Sequence, residues 1–178
     1  NLFAVVSSLI SVSARDVKDV ESFAATLRGR LQALDRSHSL STGLDEVNEF
    51  ALRDVIDAVL SPVLEDHSIQ IDGTDVLIGR ERLTPLALIF HEWITNSMKY
   101  GALAVDGGTL RIDWTDADGK IDLNWVEDGV ADDVPDGSGF GTRLVSATAH
   151  QLSGEVEAER LESGYRRRLV FSAMDGDD

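Results

Sequence analysis

Glu92, Asn96 and Lys99 recur at helical spacing in the stretch Phe90-His91-Glu92-Trp93-Ile94-Thr95-Asn96-Ser97-Met98-Lys99-Tyr100-Gly101. At 100° per residue the three lie within about 60° of one another, and Leu83, Leu86, Ala87, Phe90, Ile94 and Met98 fall on the opposite side. A carboxylate, an amide oxygen and an ammonium on one ridge can coordinate a metal ion through oxygens and set one cation beside an anionic ligand. The same residues would also serve as a plain solvated face. A second element, Trp125-Val126-Glu127-Asp128-Gly129, puts an acid at a strand end, where it can offer an oxygen to an amino group while Gly129 lets the backbone bend beneath. An acidic turn is the simpler alternative. A third, Gly137-Ser138-Gly139-Phe140-Gly141-Thr142-Arg143, is a glycine-rich loop opening a helix, whose free N–H groups and dipole favour phosphate. Glycines so placed also act as caps and turns.

The elements that must position these groups follow from periodicity. Leu83 to Tyr100 belong to a long helix beginning near Glu81. Leu110, Ile112 and Trp114 alternate with polar residues, as do Ile121, Leu123 and Trp125, around the turn Asp116-Ala117-Asp118-Gly119; this predicts a hairpin with one buried face. A helix over Arg143–Leu152 and a strand pair over Glu155–Glu159 and Tyr165–Phe171 complete the C-terminal part. Upstream, Asn48–Leu60 reads as a helix, and Ile69–Ile71 and Val76–Ile78 as short strands. Leu2, Val5, Val6, Leu9 and Val12 form one helical stripe; Val20, Phe23, Leu27, Leu31 and Leu34 form another, close to a heptad. The expected fold is α+β: an antiparallel helical hairpin over 1–42, then an α/β sandwich over 43–174 with helices covering a mixed sheet, and an acidic tail over 175–178.

Composition narrows the chemistry. The 178 residues include no cysteine, which removes disulfides, thiolate nucleophiles and cysteine metal sites. Sixteen Lys and Arg stand against thirty-two Asp and Glu, a net charge of −16 that disfavours nucleic acid and acidic membranes as partners. No apolar run reaches the length of a membrane span, so a cytoplasmic chain is expected. The opening at Asn1, straight into a helical pattern without an initiating Met, reads as part of something longer.

Taken in order, His91-Glu92 through Asn96 and Lys99-Tyr100-Gly101-Ala102-Leu103, then Trp125-x-Glu127-x-Gly129, then Gly139-Phe140-Gly141-Thr142, resemble the ATP-binding domain of the HWE subfamily of bacterial histidine kinases. His91, Trp125 and Glu127 stand at the positions that name that subfamily. Asn1-Leu2-Phe3-Ala4-Val5-Val6 and Arg30-Leu31-Gln32-Ala33-Leu34 to His38 resemble its two dimerisation helices, so the likeness runs through nearly the whole chain. The resemblance implies a sensor histidine kinase's catalytic portion: Mg²⁺ and ATP as cofactors, with Asn96 and Glu92 both catalytic and at the metal. It implies nucleotide contacts from Lys99, Tyr100, Glu127 (to the adenine amino group), Gly129, Gly139, Gly141 and Thr142, and a short lid over Val130–Gly137. It further implies a phosphoacceptor His just upstream of Asn1, hence not in this chain, a homodimer through residues 1–38, an upstream sensory domain and a response-regulator receiver domain as partner. The family usually continues Glu-x-Gly with Gly-Pro, whereas Val130-Ala131 follow Gly129 here. The alternative reading is a histidine phosphotransferase adaptor of the same architecture with a degenerate ATP site.

His38, His67 and His150 are scattered and read as structural or exposed. Arg166-Arg167-Arg168 faces Glu155, Glu157 and Glu159 in the expected strand pair, which suggests cross-strand neutralisation. Trp114 and Trp125 fit the hairpin's buried face, and Trp93 either packs in the core or flanks a nucleotide.

Overall fold

The computed structural model describes residues 7, 10, 19–42, 47–130 and 140–174. The chain enters them through helix α1 (Val20–Ser39), capped by Asp19, whose carboxylate accepts the Ser22 N–H at 2.7 Å. A short strand β1 (Glu49–Ala51) leads into helix α2 (Leu52–Leu60), followed by β2 (Ile69–Gly73), β3 (Leu77–Gly79) and a 3₁₀ turn over Arg80–Arg82. Helix α3 (Leu83–Tyr100) comes next, then β4 (Thr109–Ala117), β5 (Lys120–Asp128), helix α4 (Phe140–Gln151), β6 (Glu155–Arg160) and β7 (Gly164–Ser172).

Five strands form one mixed sheet in the order β2-β4-β5-β7-β6, parallel only between β2 and β4. β1 and β3 pair antiparallel in a separate two-stranded sheet. The β4–β5 hairpin turns at Asp118 and Gly119, both with positive φ (55° and 80°), as a two-residue turn matched to strand twist requires. Alternation then puts Leu110, Ile112, Trp114, Ile121, Leu123 and Trp125 on one buried face, where they meet Leu52, Val55, Ile56, Val59 and Leu60 of α2, the apolar side of α3, and Val145 and Ala149 of α4. The expected α+β sandwich is present.

Four local readings need correction. Asn48–Leu60 is not helical throughout, because Glu49–Ala51 pair with β3 before the helix begins at Leu52. Met98 is 45% exposed rather than in the core, since the last turn of α3, residues 98–100, is open to solvent all round. On α1 the buried positions are Arg30, Ala33, Leu34 and Ser37, while Val20, at the start of the expected heptad stripe, is 80% exposed. The arginine run divides by strand alternation: Arg166 and Arg168 pair with Glu159 and Glu157 at 3.0 and 3.1 Å, but Arg167 points to the other face. The first helix of the expected hairpin falls on residues of which only Ser7 and Ile10 are described, both helical, so its antiparallel pairing lies outside the described residues. The acidic tail lies outside them too. Among the described residues no helix is long and apolar enough to cross a membrane.

Candidate functional site

Helix α3 forms because Leu83, Leu86, Ala87, Phe90 and Ile94 give it a continuous apolar side, and the same geometry turns Glu92 and Asn96 the other way. Their target is the first turn of α4. A Cβ added at Gly141 would stand 2.9 Å from Glu92 Oε2 and 3.9 Å from Asn96 Nδ2, so a glycine lets the helix start settle against both polar groups. Glu92 is only 7% exposed; its other oxygen, Oε1, accepts from Arg30 Nε of α1 at 2.7 Å. Lys99 and Tyr100 lie on the exposed last turn, and Thr142 is exposed one residue beyond Gly141. No group of three or more His, Asp or Glu side chains among the described residues gathers as a metal site. Glu92 and Asn96, one helical turn apart, each carry a hard oxygen donor, the carboxylate and the side-chain amide. That set suits a small divalent cation which completes its shell with water and with the oxygens of an anionic ligand.

The second group lies where α3 ends. Trp125 and Glu127 are two apart on β5 and therefore share a face. Trp125, fully buried, donates through Nε1 to Glu127 Oε1 at 3.2 Å and to Ser97 Oγ at 3.3 Å, and its ring meets Trp93 edge-on at 5.6 Å. Glu127 is 1% exposed. Its Oε1 also accepts from Arg167 Nη1, and its Oε2 accepts the Ala102 N–H at 3.0 Å. Gly101 covers that oxygen so closely that an added Cβ would stand 1.8 Å from it. A carboxylate offers about four acceptor positions. Three are taken by these donors, which leaves one on Oε2 beneath Gly101. Beside it Gly129, at φ 80°, packs on the backbone of Gly108.

His91 faces α1. A Cβ at Gly29 would come within 3.0 Å of its Nε2, so the glycine admits the imidazole against the helix. Burial holds His91 at about 4, well below its ordinary 6.5; Arg30, Arg36 and Lys99 act in the same direction and Glu92 against it. The ring is neutral at physiological pH.

The structure thus brings Glu92, Asn96 and Gly141 together, and Trp125, Glu127 and Gly129 together at the end of α3. Gly139 and the stretch 131–137 lie outside the described residues. Trp93 is core, 2% exposed. His67 donates through Nδ1 to the Val63 carbonyl at 3.2 Å, and His38 and His150 are exposed. Two residues were missed by the sequence reading: Arg30, behind Glu92, and Arg167, behind Glu127. Arg30 could have been found, since it stands three residues after Leu27 and four before Leu34, a single arginine at the spacing of an apolar face.

The mixed sheet with helices on one face is a fold shared with solved histidine-kinase domains. The fold matches a solved blue-light activated histidine kinase of Erythrobacter litoralis with a TM-score of 0.75 at 14% identity, over 96% of this chain and 57% of that one. It matches the ATP binding domain of PrrB from Mycobacterium tuberculosis with a TM-score of 0.56 at 17% identity, over 72% of this chain and 98% of that one. Residues 1–75 match the family model for HWE histidine kinases. Over 179 aligned residues the chain is 32% identical to blue-light-activated histidine kinase 1 of Erythrobacter litoralis, covering 96% of this chain and 49% of the relative. The resemblance to the HWE histidine kinases is borne out by these matches. The chain spans about half the length of that curated relative.

Proposed function

We propose that residues 43–174 bind Mg-ATP and that the γ-phosphoryl group passes to a histidine upstream of Asn1, and from there to an aspartate on a response-regulator receiver domain. The observation that carries this reading is the convergence of Glu92 Oε2 and the Asn96 side chain on Gly141 at the start of α4. In this reading Asn96 and Glu92 hold Mg²⁺, which offsets the charge of the phosphates on a chain that itself carries −16. Lys99 adds a mobile positive charge at the exposed end of the ridge. The N–H groups of Gly139, Gly141 and Thr142 at the helix start receive phosphate oxygens. Glu127 accepts the adenine amino group on the remaining position of Oε2, with Arg167, Trp125 and Ala102 holding its carboxylate in orientation. Tyr100 and Gly129 add nucleotide contacts in this reading. The protein's contribution is placement and charge, which is what phosphoryl transfer requires.

Residues 1–42 are the dimerisation and phosphotransfer arm, a homodimer forms through 1–38, and a sensory domain precedes it; the protein works in the cytoplasm. An adaptor with a degenerate nucleotide site would have no use for a buried carboxylate and an amide set together at a helix-opening glycine. Calorimetric titration of the chain with ATP, with and without Mg²⁺, tests the reading. Metal-dependent binding that Asn96→Ala removes is expected, and binding unchanged in that variant would overturn the site.

A further inference from the structure

Arg30 does not belong to the ATP-binding domain in sequence, yet it ends on the carboxylate that domain's proposed metal site depends on. The Arg30–Glu92 pair is closed to water, with side chains 3% and 10% exposed. Taking two charges out of water is costly, and such pairs are often no more stabilising than apolar residues of similar volume. What the pair contributes therefore lies in what it arranges. Arg30 Nε occupies Glu92 Oε1, and the opposite oxygen, Oε2, is the one that faces Gly141, where the Asn96 side chain also arrives. A guanidinium fixes the plane of the carboxylate it binds, which an ammonium does not. The helix that carries Arg30 is seated beside this point: Leu34 packs on Leu88 of α3, flanked by Leu27 and by Leu144 of α4, and Gly29 lies against His91.

We propose that Arg30 is a positioning residue for the ATP site: it holds Glu92 so that Oε2 points at Gly141, where Asn96 also arrives, and the metal-binding pair is complete only while α1 is docked on α3. This deepens the Mg-ATP reading and rests on it. The arm thereby sets the competence of the site as well as presenting the phosphoacceptor, so movement of α1 changes nucleotide binding without any change in the nucleotide's own contacts. Arg30 touches neither the nucleotide nor the metal in this account; its effect on the site runs through Glu92.

The test is calorimetric titration of the 178-residue chain with ATP over a series of Mg²⁺ concentrations, for the unaltered chain, Arg30→Ala, Arg30→Lys, and each of these combined with Glu92→Gln. Residues that orient metal ligands typically contribute 10- to 100-fold to metal affinity. Arg30→Ala is expected to lose Mg²⁺-dependent ATP affinity on the order of tenfold or more while its circular dichroism spectrum is unchanged; Arg30→Lys is expected to lose less. In the Glu92→Gln background neither change at Arg30 should have a further effect, an outcome that a general structural role would not produce. Mg²⁺ dependence of Arg30→Ala identical to the unaltered chain overturns the inference. So does tighter binding, which would mean that Arg30 masks the carboxylate, or an equal loss with and without Glu92. Should Arg30→Ala fail to fold by circular dichroism, Arg30→Lys carries the test alone: a Mg²⁺-dependent loss that vanishes with Glu92→Gln supports it, and no loss overturns it. Absence of Mg²⁺-dependent binding in the unaltered chain is a separate result, which overturns the Mg-ATP reading and this inference with it.

Discussion

Replacing Arg167 by Ala leaves the Glu127 carboxyl group, 1% exposed, without the cation that faces it. The Trp125 Nε1 and Ala102 N–H donors remain, at 3.2 and 3.0 Å, but neither carries charge. Breaking one side of a buried pair costs roughly 3–5 kcal/mol. Arg167 is 13% exposed, which places the expected loss toward the lower end, about 3 kcal/mol. Its guanidinium also sits 4.8 Å from the Tyr165 ring centre, worth about 0.5–1 kcal/mol at a partly exposed position. For a domain of this size the total corresponds to a fall in Tm of roughly 10 °C. Thermal melting and urea unfolding without nucleotide measure it. The charge origin is isolated by Glu127→Gln: in that background Arg167→Ala should cost only about 1 kcal/mol, because no buried charge is stranded. A fall in Tm under about 2 °C, or the same loss in both backgrounds, would refute the assignment of Arg167 as the counter-ion of Glu127.

Other consequences can be measured on the same protein. Gly101→Ala would place a Cβ 1.8 Å from Glu127 Oε2 and 2.8 Å from Ser97 Cα, which is backbone and has little room to give, so a loss of about 1–3 kcal/mol in urea unfolding is expected; a neutral result would show that the Glu127 carboxylate does not sit against Gly101. The hydrogen bonds from Arg168 hold the Asp122 carboxyl below its ordinary 3.8. A depressed folded value means that this contribution is complete above the unfolded value and fades as pH falls through the folded one. Melting below about pH 4 should therefore depend less steeply on pH in Asp122→Asn than in the unaltered chain, and parallel curves would contradict the pairing.

The parts of this fold built from local repetition were legible in the sequence. The apolar positions of α3 from Leu83 to Ile94 recur with a period near 3.6, and the β4–β5 hairpin alternates with a period of two around Asp118-Gly119, so helix, strands and buried faces all follow from spacing. The core tryptophans Trp114 and Trp125 followed from the same alternation. β1 did not, because three residues carry too little pattern and their strand conformation comes from pairing with β3, some twenty-eight residues away. The site divides the same way. Glu92 and Asn96 sharing a ridge is a matter of helix geometry, but their meeting with Gly141 depends on how α4 returns across the sheet. Arg30 on Glu92 spans 62 residues, and Arg167 on Glu127 spans 40; no local rule reaches so far. Strand alternation alone, however, separates Arg167 from Arg166 and Arg168, and an arginine left on the inner side of a sheet signals a buried acid opposite.

The central claim is that Glu92 and Asn96 make a metal-dependent nucleotide site with the start of α4. Titration of the chain with ATP, in the presence and absence of Mg²⁺, tests it most directly. The account predicts binding that requires Mg²⁺ and that Asn96→Ala abolishes while the circular dichroism spectrum is unchanged. Folded protein that binds no ATP at any Mg²⁺ concentration, or an Asn96→Ala variant that binds Mg-ATP as the unaltered chain does, would contradict it.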